Sequence, residues 1–533
     1  MNEGTAGPAA TGTVLVRAPA DRMGSTLRDI AVAHAAAQGP APFLIAPDNA
    51  EEPGRILSYA GLLREARALA AELKARGLGA GDKVALLMPN GYQTTSLFLG
   101  AMIGGFVVTP LNLRSSRAGL AYALDHCDCK ILFASPSQAA QLAEASSLMA
   151  RKIAVEMIDV DALQLFPDAP ESFAFEPIDE KAPALLMYTS GTTGTPKGVL
   201  LSHRNLVAAA TSVADWHGLH PDDRVLSSLP LYHINGQVIG TLAPFLSGGS
   251  IVAPHAFSVS TWWRDVETYR CTWINMVPTI IAYLLNAAAG APPRRFPQLR
   301  FGRSASAPLP PDHHRAFEES FGVPVIEGMG MTESASVVFC NPMQLERRKY
   351  GSVGLACGVE AFVADAKGHE LQDGVAGEIR FRGPNVMSGY YKSPERSSEA
   401  LDPSGFLRTG DLGYRDKDGF FFVTGRLKEL IIKGGENIAP REIDEALLAH
   451  PGILEAAAVG IPDTNYGQEI LAGIVLKAEM SLSEEELRAH CFTHLGSYKT
   501  PKFFAFLSEL PKGPSGKVQR LAIAENWQSR KFQ

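Results

Sequence analysis

The segment YTSGTTGTPKGV, residues 188–199, concentrates glycines, hydroxyl side chains and one lysine in a short stretch. Backbone N–H groups, hydroxyls and an ammonium group together can bind a polyphosphate. A surface linker rich in turn-forming residues is the alternative interpretation. The candidate phosphate-binding residues are Thr189, Ser190, Gly191, Thr192, Thr193, Gly194 and Lys197.

This loop differs from the phosphate loops of common nucleotide-binding proteins. Counted from Gly191, Pro196 stands where a P-loop needs its second glycine, and Gly198 stands where it needs a hydroxyl. The sequence also lacks the H-R-D and D-F-G tripeptides of protein kinases. Because an apolar ALLMY precedes the loop and the helical pattern HRNLVAAATSVADW follows it, we predict a strand-to-helix junction there.

Length and composition indicate a globular protein of several domains. The chain has 533 residues, of which 46% are hydrophobic and 20% charged. A formal net charge of −7 argues against a general nucleic-acid-binding protein. No apolar run approaches the roughly 18 residues of a membrane span, and we expect a cytoplasmic protein.

The six cysteines are scattered except for Cys127 and Cys129, which follow His126. No second pair stands at the spacing of a zinc site, so we expect buried, reduced thiols.

The elements that must position the loop follow an α/β pattern. Helical segments such as YQTTSLFLGAMIGG alternate with apolar strands such as KILFAS, which indicates βα units and a parallel sheet. From about residue 360, short strands separated by glycine and aspartate indicate a β-rich subdomain. We predict an α/β multidomain protein. Its large N-terminal domain, residues 1–427, has two α/β layers and the β-rich subdomain, and a small mobile α+β domain covers residues 428–533.

Seven motifs together resemble the adenylate-forming superfamily, which includes acyl-CoA synthetases, nonribosomal adenylation domains and beetle luciferases. In the family's order they are YTSGTTGTPKGV, LPLYHINGQ, GRSASAPLP, EGMGMTES, TGDLGY, GRLKELIIKGGENIAPREID and LPKGPSGKVQR. The resemblance implies that a carboxylate attacks the α-phosphate of ATP to give an acyl adenylate, which a thiol then attacks. It implies ATP, Mg²⁺ and CoA as cofactors. The leading hypothesis is a carboxylic acid:CoA ligase, and the alternative is a stand-alone enzyme that loads a carrier protein.

The resemblance also assigns catalytic roles. Lys517 matches the lysine that contacts the carboxylate and the α-phosphate, where a well-placed charge stabilises the transition state. Glu333 matches the magnesium ligand, and Thr332 beside it matches a contact to the α-phosphate. His233 matches a residue that orients the carboxylate, although a lone histidine is also often structural.

The nucleotide itself is assigned to two further motifs. Asp411 matches the acceptor of the ribose hydroxyls, and Arg426 adds a donor there. Many relatives have tyrosine at the position of Met329, so a thioether here replaces a ring against the base. The residues that match the adenine-binding strips are Ala305, Ser306, Ala307, Pro308, Gly328, Met329, Gly330 and Met331.

Relatives line the acyl pocket at positions that match His233, Asn235, Gly236, Gln237, Gly302 and Arg303. The Arg303 guanidinium could bind a second carboxylate, as in oxalate. The alternative is an arginine that pairs with an acidic side chain away from the substrate.

The thiol half-reaction is assigned to the C-terminal motifs. Lys428 matches the hinge between the domains, and the residues expected to shape the thiol tunnel are Lys433, Gly434 and Gly435. Lys499 and Lys502 are candidates for CoA phosphates or form a solvated basic turn. The expected partners are a small carboxylic acid, ATP and CoA, without nucleic acid or an integral membrane segment, and a homodimer is possible.

Overall fold

The computed structural model describes residues 24–47, 54–189, 196–513 and 518–529. Up to residue 356, strands alternate with helices. The strands are β1 (Pro42–Ala46), β2 (Arg55–Ser58), β3 (Lys83–Leu87), β4 (Val107–Pro110), β5 (Cys129–Ala134), β6 (Ala154–Met157), β7 (Pro183–Thr189), β8 (Lys197–Ser202), β9 (Arg224–Ser227), β10 (Ser250–Val252), β11 (Trp273–Met276), β12 (Phe301–Ser304), β13 (Val325–Met331), β14 (Ser336–Cys340) and β15 (Leu355–Ala356).

The helices of this region cover both sheets that these strands form. They are α1 (Leu27–Gln38), α2 (Tyr59–Ala75), α3 (Tyr92–Gly104), α4 (Arg117–His126), α5 (Ala139–Ser146), α6 (His203–His217), α7 (Ala243–Ser247), α8 (Val259–Thr268), α9 (Pro278–Ala287) and α10 (Pro311–Phe321). A π-helix, Asn235–Leu242, leads directly into α7.

Two large sheets form the two α/β layers. One has nine strands in the order β15-β14-β13-β12-β11-β9-β10-β1-β2, and the other has six in the order β6-β5-β3-β4-β7-β8. Parallel pairing, as the alternation with helices predicts, joins β13, β12, β11, β9, β10 and β1 in the first sheet and β6, β5, β3, β4 and β7 in the second. Antiparallel pairing joins β14 to β13 and β15, β2 to β1, and β8 to β7. The largest core cluster draws residues from both sheets and from the helices between them.

The predicted strand-to-helix junction at the glycine-rich loop is wrong. Residues 197–202, KGVLLS, form β8, which pairs antiparallel with β7 and places Thr189 opposite Lys197. The segments on either side of the loop are therefore two paired strands. Helix α6 begins only after β8, where the Ser202 side chain accepts a hydrogen bond from the Asn205 backbone N–H in a capping box.

The β-rich subdomain is a separate antiparallel sheet in the order β16-β17-β18-β19. Its elements are β16 (Glu360–Ala364), β17 (Gly377–Arg382), α11 (Pro394–Ala400), β18 (Leu407–Arg415) and β19 (Phe421–Arg426).

The last part of the chain has two core clusters built only from residues between 431 and 527. It contains β20 (Ile431–Lys433), β21 (Glu436–Ile438), α12 (Pro440–Leu448), β22 (Ile453–Asp463), β23 (Gly467–Leu476), α13 (Glu484–Lys499), β24 (Phe503–Phe506) and α14 (Arg520–Gln528). The predicted fold class is confirmed. The domain boundary, which falls in the short 3₁₀ helix Leu427–Glu429, and the mobility of the small domain stay predictions.

All six cysteines are buried and free, in agreement with the prediction of reduced thiols. Among the helices that the structure describes, none combines the length and the apolar character needed to span a bilayer.

Candidate active site

The phosphate loop is flanked by Thr189 on β7 and Lys197 on β8, which are register partners. Lys197 Nζ lies 4.7 Å from the centroid of the Tyr390 ring, which fixes the lysine side chain over an aromatic face. The predicted phosphate-binding residues from Ser190 to Gly194 lie outside the described residues. Their roles stay predictions.

Glu333 lies in the 3₁₀ turn Thr332–Ser334, directly after β13, and is buried. Its Oε1 accepts a hydrogen bond of 2.9 Å from the Tyr390 hydroxyl. Within the described part of the chain, Oε2 has no hydrogen-bond partner. Thr332, next to it, is half-buried.

A single carboxylate suits Mg²⁺, which binds hard oxygens and usually completes its octahedron with substrate phosphates and water. No group of three or more metal-binding side chains occurs among the described residues. Glu333 therefore fits a nucleotide-bound Mg²⁺ better than a metal site built by protein alone.

The predicted ribose residues face each other across β18 and β19. Asp411 and Arg426 are register partners, and Arg426 Nε lies 2.8 Å from Asp411 Oδ1. Asp411 is buried while Arg426 is 40% exposed. The arginine fixes a buried carboxylate on β18, where it can accept hydroxyl hydrogen bonds.

The adenine-binding strips lie after β12 and along β13. Residues 306–308 are exposed, whereas Ala305 is buried. Met329 is half-buried and stands opposite Phe339 on β14. A Cβ at Gly330 would overlap the Ser336 carbonyl oxygen, so only glycine fits there. Gly328 and Met331 begin and end the same segment, and the contact of Met329 with adenine stays a prediction.

A row of polar side chains crosses the nine-stranded sheet beneath these strips. Ser227, Asn275 and Arg303 are register neighbours on β9, β11 and β12. Asn275 Nδ2 donates to Asn235 Oδ1 at 3.0 Å, and Asn235 Nδ2 donates to Ser306 Oγ at 3.0 Å. The network thus joins the predicted acyl pocket to the adenine strip.

Arg303 is fully buried at one end of this row. Its Nη1 donates to the carbonyls of Ser304, at 2.8 Å, and Ile326, at 3.2 Å. Nε and Nη2 have no hydrogen-bond partner among the described residues. A Cβ at Gly328 would stand 2.5 Å from Nη1, so the guanidinium lies directly against the backbone of β13.

Among the described residues, Arg303 forms no ion pair with an acidic side chain, and whether it lies at the substrate or away from it stays a prediction. Glu327 on the neighbouring strand is in register with Ser304 rather than Arg303, and its Oε1 accepts from the Leu309 backbone. The charge of Arg303 affects the protonation of a neighbouring histidine. Burial and this charge lower the pKa of His217 to about 3.

The π-helix positions further pocket residues. Gln237 is buried and donates to the Leu231 carbonyl at 2.6 Å. A Cβ at Gly236 would stand 2.5 Å from the Pro230 carbonyl oxygen, so glycine permits this tight approach. The half-buried His233 ring packs edge-on against Tyr232, with centroids 4.8 Å apart.

Gly302 lies next to Arg303 on β12. A Cβ there would point at the Met276 methyl, 2.8 Å away, in the second core cluster. Because successive residues of a strand face opposite sides, Gly302 lies on the other face from Arg303. A glycine lines a pocket only through its backbone, so the place of Gly302 in the acyl pocket stays a prediction.

The KGGEN loop is held by its own lysine. Lys433 is buried, lies 2.6 Å from Glu469 and donates to the Tyr498 carbonyl at 3.0 Å. Its ammonium group is thus committed within the small domain. Gly434 and Gly435 have positive φ values of 56° and 86° and are exposed, so the loop presents backbone.

The other C-terminal candidates are less enclosed. Lys428 is exposed. Lys499 pairs with Glu442 at 2.7 Å and Lys502 with Asp463 at 3.1 Å, so each would have to leave a surface ion pair to bind a phosphate. Lys517 lies outside the described residues.

Sequence reasoning missed two residues of this site. Asn275 is the one polar residue of the buried strand WINM, which was a signal for a buried hydrogen-bond network. Tyr390 stands in SGYYK, where nothing in the local pattern indicates that its hydroxyl reaches Glu333, 57 positions away.

Comparisons with known proteins cover nearly the whole chain. Residues 32–391 match the family model described as AMP-binding enzyme, and residues 442–517 match the AMP-binding enzyme C-terminal domain. Sulfoacetate–CoA ligase from Cupriavidus necator is 52% identical over 92% of this chain and 96% of that protein. Oxalate–CoA ligase from Arabidopsis thaliana is 35% identical over 85% and 89%.

Solved structures also match nearly the whole chain. ATP-bound MatB from Rhodopseudomonas palustris has a TM-score of 0.82 and 31% identity, over 94% of this chain and 99% of that chain. O-succinylbenzoate CoA synthetase from Bacillus subtilis, in complex with ATP and magnesium ion, has a TM-score of 0.81 and 30% identity over 92% and 98%.

Proposed function

We propose that this chain, which belongs to the AMP-binding enzyme family, uses as its acid substrate a short carboxylic acid with a second anionic group, such as sulfoacetate. The chain is an ATP-dependent acid:CoA ligase. It joins a carboxylate to the CoA thiol through an acyl adenylate, with release of pyrophosphate and AMP.

The observation that carries the proposal is that Arg303 is fully buried while its Nε and Nη2 have no hydrogen-bond partner among the described residues. A fully buried guanidinium with no hydrogen-bonded carboxylate partner in the described part of the chain is unfavourable, because burial removes the hydration of the charge. An anionic group of the substrate would supply the missing partner. Arginine is suited to this role, since its planar donors bind carboxylate or sulfonate oxygens in pairs.

The named relatives support this assignment. Sulfoacetate carries a sulfonate and oxalate a second carboxylate, so each acid is a dianion at neutral pH. The Arg303 guanidinium lies against the backbone of Gly328 on β13. Strand β13 leads directly into the turn that contains Thr332 and Glu333. An acid that spans from Arg303 to the nucleotide would place one anion at the guanidinium and present its carboxylate toward the α-phosphate.

The remaining residues are assigned to the two half-reactions. Mg²⁺ on Glu333 and the Lys197 and Lys517 ammonium groups would neutralise the phosphates, and Thr332 would contact the α-phosphate. His233 would orient the carboxylate. Rotation at Lys428 would then exchange Lys517 for the KGGEN loop, whose backbone would shape the thiol tunnel.

The test is carboxylate-dependent pyrophosphate release, measured with and without CoA. The acids are sulfoacetate, oxalate, propionate, 4-coumarate and methylsulfonylacetate, in which a methyl group replaces one sulfonate oxygen at nearly equal size. We expect kcat/KM for sulfoacetate to exceed that for methylsulfonylacetate by about 100-fold, because the neutral group leaves Arg303 unpaired. Equal values for these two acids, or a preference for propionate or 4-coumarate, would overturn the proposal.

A further inference from the structure

Tyr390 touches two groups that the nucleotide needs, although it belongs to none of the seven motifs. Its hydroxyl donates to Glu333 Oε1 at 2.9 Å, and its ring lies 4.7 Å from Lys197 Nζ. Tyr390 itself is 9% exposed. It therefore joins the loop that is expected to hold the phosphates to the carboxylate that is expected to hold their cation.

The backbone around Tyr390 keeps it in this place. Its N–H donates to Ser397 Oγ at 2.8 Å, and an isolated bridge pairs it with Val199 on β8. The Tyr391 N–H donates to the Gly198 carbonyl at 2.7 Å. Since β8 begins at Lys197, these contacts fix the tyrosine against the C-terminal side of the phosphate loop.

We propose that Tyr390 is a positioning residue that makes Glu333 a ligand through one oxygen and so sets the preference of the enzyme for Mg²⁺ over larger cations. The inference rests on Glu333 as the metal ligand and is independent of the acid. The hydroxyl occupies Oε1, which leaves Oε2 for the cation.

The physical reason is the difference between the two alkaline-earth cations. Mg²⁺ requires a nearly ideal octahedron at about 2.1 Å, whereas Ca²⁺ accepts bidentate carboxylates at about 2.3–2.6 Å and higher coordination numbers. A hydrogen bond from a hydroxyl uses one lone pair of Oε1 and fixes the orientation of the carboxylate, so it disfavours bidentate binding and favours binding through Oε2. Removal of that hydroxyl frees Glu333 for the bidentate mode that only the larger cation uses well.

The ring has a separate role. It lies under the Lys197 ammonium group, an attraction that does not depend on the hydroxyl. Tyr390→Phe therefore removes the bond to Glu333 and keeps the face for Lys197. Tyr391→Phe is the matched control, because it removes a hydroxyl that donates to Asp128 at 2.6 Å and not to Glu333.

The experiment measures binding rather than turnover. Calorimetry gives the Kd of α,β-methylene-ATP with Mg²⁺, with Ca²⁺ and with EDTA for the wild type, Tyr390→Phe and Tyr391→Phe. We expect the ratio of the Ca²⁺ Kd to the Mg²⁺ Kd to fall by about tenfold in Tyr390→Phe, the effect of one hydrogen bond to a charged group. The EDTA value should stay within about twofold of the wild type, and Tyr391→Phe should match the wild type throughout.

An unchanged ratio in Tyr390→Phe, or the same fall in Tyr391→Phe, would overturn the proposal. Glu333→Gln separates this failure from a failure of its premise. If Glu333→Gln abolishes the difference between Mg²⁺ and EDTA while Tyr390→Phe keeps the wild-type ratio, the glutamate is the ligand and only the role of Tyr390 is refuted. If Glu333→Gln keeps the wild-type cation response, the premise fails as well.

Discussion

Replacement of Arg303 by methionine should separate substrate recognition from folding. The side chain is fully buried and forms two hydrogen bonds through Nη1, to the carbonyls of Ser304 and Ile326. Loss of these bonds should cost about 1–3 kcal/mol of the free energy of unfolding. Removal of a buried charge that has no acidic partner among the residues that the structure describes should offset a loss of this size. We therefore expect Arg303→Met to change the free energy of unfolding by less than about 2 kcal/mol.

The effect on the reaction should be much larger and selective. An anion that loses its buried cationic partner loses about 2–5 kcal/mol, and about 3–4 kcal/mol corresponds to a 10²–10³-fold fall in kcat/KM for sulfoacetate. Propionate has no second anion, so its kcat/KM should not fall. The assays are pyrophosphate release with each acid and urea unfolding monitored by tryptophan fluorescence.

Arg348→Met is the matched control. Arg348 is also buried, but it pairs with Glu318 at 2.9 Å. Its loss leaves Glu318 without that partner and should destabilise the protein by about 3–5 kcal/mol. The ratio of the two kcat/KM values should not change in this variant. The reasoning on Arg303 is refuted if Arg303→Met lowers kcat/KM equally for sulfoacetate and propionate. It is also refuted if Arg303→Met destabilises the protein as much as Arg348→Met does.

Three further predictions concern the two half-reactions and pH. Lys517→Ala should abolish adenylation but spare thioester formation from supplied acyl adenylate, measured as acyl-CoA by chromatography; equal loss of both contradicts its role. Lys428→Pro should spare pyrophosphate exchange and impair CoA transfer, and a normal overall rate would refute the hinge.

His217 has a pKa of about 3, so below pH 6.5 only the unfolded chain gains its proton, and stability falls by about 1.4 kcal/mol per pH unit. From pH 7 to pH 5 the wild type should lose about 2 kcal/mol more than His217→Gln in urea unfolding; parallel losses would contradict the assignment.

Local sequence patterns predicted the alternation of helices and strands because buried strands and amphipathic helices have different periods. They failed at KGVLLS, where six residues between a glycine-rich loop and a strong helix gave no clear period. Strand β8 is defined by its pairing with β7, a contact that the hairpin creates. The face of β12 on which Gly302 lies could not be predicted for a related reason. Which face of β12 meets the pocket depends on the sheet and not on the residue itself.

In the candidate site, too, some features could be predicted from the sequence and others could not. Motifs predicted Asp411 with Arg426, and the structure brings these two within 2.8 Å of each other. Whether Arg303 has an acidic partner could not be decided from GRSASAPLP, because its neighbours come from β11 and β13. Tyr390 was missed because its hydrogen bond joins positions far apart in the chain.

The central claim is that the acid carries a second anion, and competition tests it most directly. The enzyme, ATP, Mg²⁺ and limiting CoA are supplied with an equimolar mixture of sulfoacetate, methylsulfonylacetate and propionate, and the acyl-CoA products are identified by mass spectrometry. Sulfoacetyl-CoA should predominate in the wild type, and its share should collapse in Arg303→Met. Predominance of a thioester without the second anion, or the same product ratio in both enzymes, would contradict the claim.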